Sequence, residues 1–85
     1  MNKHQRSTLE AAFVRPTKAT IKFADIEKLL TALGAEVIEG AGSRVAFRMT
    51  NGRKWETHRP HPGKEAKKYQ VENVRGFLEE QRVKP

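Results

Sequence analysis

Apolar residues recur along this chain with two different periods. Phe23, Ile26, Leu29, Leu30 and Leu33 fall at i, i+3, i+6, i+7 and i+10, the stripe of a helix with one buried face. Gly34 then supplies the left-handed residue that often ends a helix. A second stripe of this kind, Val71, Val74, Phe77 and Leu78, predicts a closing helix over about 70–81. Gly76 inside it costs about 1 kcal/mol relative to alanine, which predicts close packing against a sheet at that point.

Between those two helices the period drops to two. From Ser43 to Thr50, Val45, Phe47 and Met49 alternate with Arg44, Ala46 and Arg48, as in a strand with one buried face. Asn51-Gly52 follows and predicts a hairpin with a type I′ turn. A return strand over 53–59 places Trp55 and Thr57 on one side and Lys54, Glu56 and His58 on the other. That phase assigns Trp55 to the core rather than to base stacking. Pro60 and Pro62 end the strand, because proline has no N–H for the ladder. Ala35 to Glu39, with Val37 and Ile38, reads as a short first strand, and Gly40-Ala41-Gly42 turns the chain into the hairpin.

The N-terminal part is less regular. Met1 to Arg6 reads as a polar tail. Ser7 and Glu10 have capping-box spacing, so a short helix is predicted to about Val14, with Leu9, Ala12 and Phe13 as its stripe. Pro16 stops it, and 17–22 is a loop or short extended segment. The order is therefore α-α-β-β-β-α, an α+β sandwich of a three-stranded antiparallel sheet with helices on one face. Eighty-five residues allow one core. The expected division is a flexible tail at 1–6, a helix and loop at 7–22, and a folded core at 23–81.

Composition narrows the function. There is no cysteine, so disulfides and thiolate metal sites are excluded. No apolar run approaches 18 residues and no signal-peptide core is present, so a cytoplasmic protein without membrane association is expected. The net charge is +7, and it is concentrated. Residues 42–68 carry eight basic side chains, Arg44, Arg48, Arg53, Lys54, Arg59, Lys64, Lys67 and Lys68, against Glu56 and Glu65. A basic face of this density points to an anionic partner, most often nucleic acid.

Gly42-Ser43, the hairpin, the run Pro60-His61-Pro62-Gly63-Lys64-Glu65-Ala66-Lys67-Lys68 and the closing helix together resemble the HicA family of bacterial toxin ribonucleases. Asp25-Ile26-Glu27-Lys28-Leu29-Leu30 and Leu33-Gly34-Ala35 are similar to that family's opening helix and its turn into the first strand. The resemblance covers roughly residues 22–81, leaving the helix at 7–14 as an addition. It implies a double-stranded-RNA-binding-like α-β-β-β-α fold and cleavage of mRNA with neither metal nor other cofactor. It also implies neutralisation by a HicB-type antitoxin in a hetero-oligomer. Many members place a catalytic histidine directly after Gly-Ser, where this chain has Arg44. A guanidinium stays protonated near neutral pH and cannot act as a general base.

Proton transfer must then fall to another side chain. Histidine has the unperturbed pKa suited to it. His4 lies in the tail. His58 alternates onto the face of Arg44 and Arg48, and His61 is held between two prolines. Either can be the base for attack of a ribose 2′-OH on the adjacent phosphorus, with Arg44 stabilising the phosphorane charge. Ser43, Arg48, Arg53, Lys54 and Arg59 would contact RNA around the hairpin, and Lys64, Lys67 and Lys68 would track the phosphate backbone. His58 and His61 form no metal site, since no third ligand stands at fixed spacing. Two other functions fit the same surface: an RNA-binding module that does not cut, and a docking face for an acidic protein.

Overall fold

The computed structural model describes residues 1–85. In chain order it contains α1 (Lys3–Ala12), α2 (Phe23–Ala32), β1 (Glu36–Glu39), β2 (Arg44–Arg48), β3 (Lys54–His58) and α3 (Lys68–Glu80). The strands form one antiparallel sheet in the order β1-β2-β3. This is the α-β-β-β-α arrangement of a double-stranded-RNA-binding-like fold, preceded by an extra helix.

The strand alternation holds for the large side chains, although Ala46, small and on the central strand, is buried as well. Val45, Phe47, Met49 and Trp55 are buried together with Ile26, Leu29, Leu30, Val74, Phe77 and Leu78, while Leu33 packs at the margin. Phe47 is fully enclosed. Its ring stacks on Trp55 at 5.8 Å between centroids and meets Phe23 of α2 at 6.3 Å. Register pairs Phe47 with Trp55 across β2 and β3, so the hairpin brings its two largest rings to one spot. The opposite face carries Arg44, Arg48, Lys54, Glu56 and His58, all exposed.

Four local expectations are corrected. The first helix starts at Lys3, not at Ser7. Asn2 accepts from the Gln5 amide at 2.8 Å, and the Gln5 side chain accepts from the Asn2 amide at 2.9 Å. That reciprocal pair makes the capping box, and it draws the supposed tail into α1. Ser7 and Glu10 lie inside the helix, where Leu9 and Ala12 reach the core. His4 consequently lies in α1, with Nε2 at 3.0 Å from Oδ1 of Asp25 on α2.

The second correction concerns the hairpin turn. Gly52 has φ +89° but Asn51 does not share the positive φ a type I′ turn requires. The Met49 amide donates to the Arg53 carbonyl at 2.8 Å, and the Gly52 amide to the Met49 carbonyl at 2.9 Å. Thr50-Asn51-Gly52 is thus a three-residue loop ending in a left-handed glycine. The Asn51 side chain accepts from the Arg53 amide at 3.0 Å, which stabilises that alternative.

Third, Gly76 is not wedged against the sheet. A β-carbon there would meet nothing within 4 Å. Fourth, the closing helix starts before residue 70, and the run that leads into it is tied to the core. The Phe23 amide donates to the Lys64 carbonyl at 2.9 Å, and the Ala66 amide to the Ile21 carbonyl at 2.7 Å. Ala66 is buried, and α3 already begins at Lys68.

Candidate active site at the end of the hairpin

Antiparallel register places Arg44, the first residue of β2, directly opposite His58, the last residue of β3. One residue earlier, the Ser43 Oγ lies 3.2 Å from the His58 Nδ1. The Ser43 carbonyl accepts the Arg59 amide at 2.8 Å, so the ladder continues one step past the strands and holds Ser43 beside the imidazole. Side chains opposite each other in a non-hydrogen-bonded pair are the closest in a sheet. The serine hydroxyl and the imidazole therefore meet at the end of the hairpin, with Arg44 as the cross-strand neighbour of His58.

The two histidines differ in their surroundings. With Nδ1 occupied by Ser43, the His58 ring is oriented and its Nε2 is the nitrogen left for chemistry. His61 is exposed and makes no side-chain hydrogen bond. It lies in the Pro60-His61-Pro62-Gly63 loop immediately downstream. No group of three or more His, Asp or Glu side chains converges anywhere in the chain.

The basic residues fall into two sets. Arg48 donates to Glu36 at 2.7 Å, Arg53 to Glu80 at 3.4 Å, and Lys54 lies 3.4 Å from Glu56. These are exposed surface pairs, each worth about 0–1 kcal/mol, and a phosphate can displace such a partner. Arg44, Lys64, Lys67 and Lys68 have no carboxylate within 4 Å and are exposed. Lys67 is the N-cap of α3 and Lys68 its first residue. Two ammonium groups at the positive end of a thirteen-residue helix make a favourable place for a phosphate.

Arg59 differs from both sets. Its Nε donates to Glu27 of α2 at 2.7 Å and its Nη1 to Glu39 of β1 at 2.6 Å. Nη2 donates to both carboxylates, at 3.2 and 3.0 Å. The hydrogen bonds, first to Glu27 and then to Glu39, hold the guanidinium still further above its already high ordinary pKa. The bond from Arg59 also holds the Glu39 carboxyl below its ordinary 4.5. Counting charge along the sequence cannot see this clamp, because its carboxylates lie 32 and 20 residues away.

The clamp has a testable consequence. Arg59→Met should lower stability by about 1 kcal/mol, or roughly 4–8 °C in Tm for a domain of this size, read by thermal denaturation. A depressed folded pKa means the Glu39 contribution is complete above the ordinary carboxylate range. It is lost as pH falls through the lower folded value. The Tm difference between the variant and the parent chain should therefore shrink below about pH 4.5.

One polar residue at the site was not anticipated from sequence. Gln70 of α3 is buried, and it bonds both the end of β3 and the start of its own helix. Its spacing with Val74 and Phe77, i, i+4 and i+7, is the only sequence sign of its burial.

The structure is a small basic domain with a fold like that of double-stranded-RNA-binding domains, and it carries Ser43, Arg44 and His58 at one end of the hairpin and two lysines at the start of α3. The sequence profile described as HicA toxin of bacterial toxin-antitoxin matches residues 23–80, more than half of the 85-residue chain. The chain belongs to the HicA toxin family. Comparison with curated proteins and with solved structures returns no match. No helix is long and apolar enough to cross a membrane.

Proposed function

We propose that this toxin cuts mRNA in the cytoplasm by metal-independent transesterification and that a HicB-like antitoxin restrains it. The observation that carries this reading is the Ser43–His58 contact at 3.2 Å with Arg44 as the cross-strand neighbour of His58. By the resemblance, Arg44 stands where many members of the family keep a histidine, and in the register His58 is the residue opposite it.

The chemistry follows from what each group can do. Neutral His58 takes the proton of a ribose 2′-OH through Nε2, with Ser43 holding Nδ1 and so the ring plane. The 2′-oxygen forms a bond to phosphorus as the bond from phosphorus to the 5′-oxygen breaks, leaving a 2′,3′-cyclic phosphate. His61, the alternative base, here protonates the departing 5′-oxygen. Arg44 supplies donors to the equatorial oxygens of the phosphorane. Lys64, Lys67 and Lys68 hold flanking phosphates. Arg48, Arg53 and Lys54 join when phosphate displaces their surface carboxylates, whereas Arg59 acts chiefly by fixing the backbone between the two histidines. DNA lacks the 2′-OH and is bound without being cut.

Cleavage of purified RNA in EDTA, with cyclic-phosphate termini on the product, tests this directly. Intact RNA under those conditions favours the second reading, an RNA-binding module in which Arg44 is a phosphate clamp. The same arginine substitution motivates that reading.

Both readings require salt-sensitive binding. Neutralising six or more phosphates should weaken RNA affinity by about 10³ or more between 50 and 200 mM salt. Lys67→Ala and Lys68→Ala should each reduce the logarithmic slope by about one unit, while Arg59→Met should leave it unchanged. Flat affinity across that range points instead to a docking face for an acidic protein.

A further inference from the structure

Gln70 is 1% exposed, and all of its hydrogen-bonding groups face the candidate site. Its Nε2 donates to the His58 carbonyl at 2.7 Å and to the Thr57 Oγ1 at 2.9 Å. Its Oε1 accepts from the Lys67 amide at 2.9 Å. One carboxamide thus joins the last residues of β3 to the N-cap of α3. No other hydrogen bond joins that strand end to that helix start. Burying an amide is favourable only when its partners are in place, so the three bonds stand or fall together.

We propose that Gln70 is the positioning residue of this site, fixing His58 relative to Lys67. The inference rests on the ribonuclease reading above but adds a residue that touches no substrate. The His58 carbonyl lies on the open edge of β3, where a strand terminus is otherwise free to fray. Held by Gln70, the backbone at His58 keeps the imidazole within reach of Ser43. The same side chain orients the first turn of α3, where a phosphate next to the one being attacked would sit. Displacing a reacting group by about 1 Å can cost 10²-fold in rate, so a single buried amide can set the rate without meeting RNA.

Glutamine is suited to this because it donates and accepts at once. A carboxylate keeps the bond from the Lys67 amide but offers no proton to Thr57 or His58. Once protonated it offers one. Burial raises the pKa of such a carboxyl, which gives the test its readout.

The test uses the full chain with Gln70→Glu and Gln70→Met. Cleavage of an RNA oligomer in EDTA is followed at pH 5.5 and pH 8, and the His58 ring nitrogens are followed by NMR without RNA. Gln70→Glu should be about tenfold or more below the parent in kcat at pH 8 and recover to within about threefold at pH 5.5, with little change in KM. Gln70→Met, near in volume but without donors, should stay low at both pH values and shift the His58 Nδ1 signal. Equal activity of Gln70→Glu and the parent at pH 8 overturns the proposal, as does an equal deficit at both pH values. If the parent itself does not cut RNA, the ribonuclease reading fails and the NMR arm decides alone. A displaced His58 signal in Gln70→Met then supports the positioning role, and a coincident one removes it.

Discussion

His58→Ala should lower RNA cleavage by about 10²–10⁴, the usual worth of a positioned general base, and leave RNA affinity within a few-fold of the parent. His58 is exposed at a strand end and contributes no core contact, so folding should be unaffected by circular dichroism. His61→Ala should cost less if it acts only on the leaving group, since water can replace an acid more readily than an oriented base. Arg44→Ala should reduce both cleavage and affinity, through lost phosphate contact and lost charge stabilisation. In cells, expression of the parent chain should arrest growth and His58→Ala should relieve the arrest. Full toxicity of both histidine variants, together with harmless Arg44→Ala, would sink the acid–base scheme.

Phe47→Ala should have the largest effect on the fold. The side chain is completely enclosed and supports the hairpin through its rings' contacts with Trp55 and Phe23. Truncating a buried phenylalanine costs about 3–5 kcal/mol, against a total of about 5–15 kcal/mol for a typical domain. Urea denaturation should show a large fall in midpoint, and RNA binding should fail through unfolding. A loss under about 1 kcal/mol would mean that the site collapses without leaving a cavity.

The hairpin, α2 and α3 were legible because burial imposes a period on each. Val45, Phe47 and Met49 can face the core together only in an extended chain, and Ile26, Leu29 and Leu33 only in a helix. Counting back from a two-residue Asn51-Gly52 turn sets Arg44 opposite Arg59 and Phe47 opposite Glu56, in conflict with the phase that puts Phe47 and Trp55 in the core. The three-residue loop resolves that conflict by pairing Phe47 with Trp55, and with it Arg44 with His58. The start of α1 was not legible. Lys3 to Arg6 carries no apolar stripe, so only the local Asn2–Gln5 exchange marks the helix start, and Ser7 with Glu10 offered a competing cap. Arg59 looked like one more cation in a basic run, since charge pairing depends on distances that only the folded chain brings about. Gln70 was hidden for a related reason: polarity argued for the surface, and its partners are backbone groups that have no identity in sequence.

The loop carrying His61 is tethered at both ends. Arg59 is fixed by the hydrogen bond its amide donates to the Ser43 carbonyl and by its two carboxylates, and Lys64 by the hydrogen bond its carbonyl accepts from the Phe23 amide. Only 60–63 lie between these posts, and two of those four residues are prolines, whose φ is set by the ring. With about 3.8 Å between successive α-carbons, the His61 backbone stays within about 8 Å of that of Arg59 however the loop moves. In the proposed mechanism the imidazole is therefore a leashed reagent. Its local concentration near the strand end is set by a tether of two residues and hardly by diffusion, and lengthening the loop by a few glycines would dilute it without altering any contact in the core.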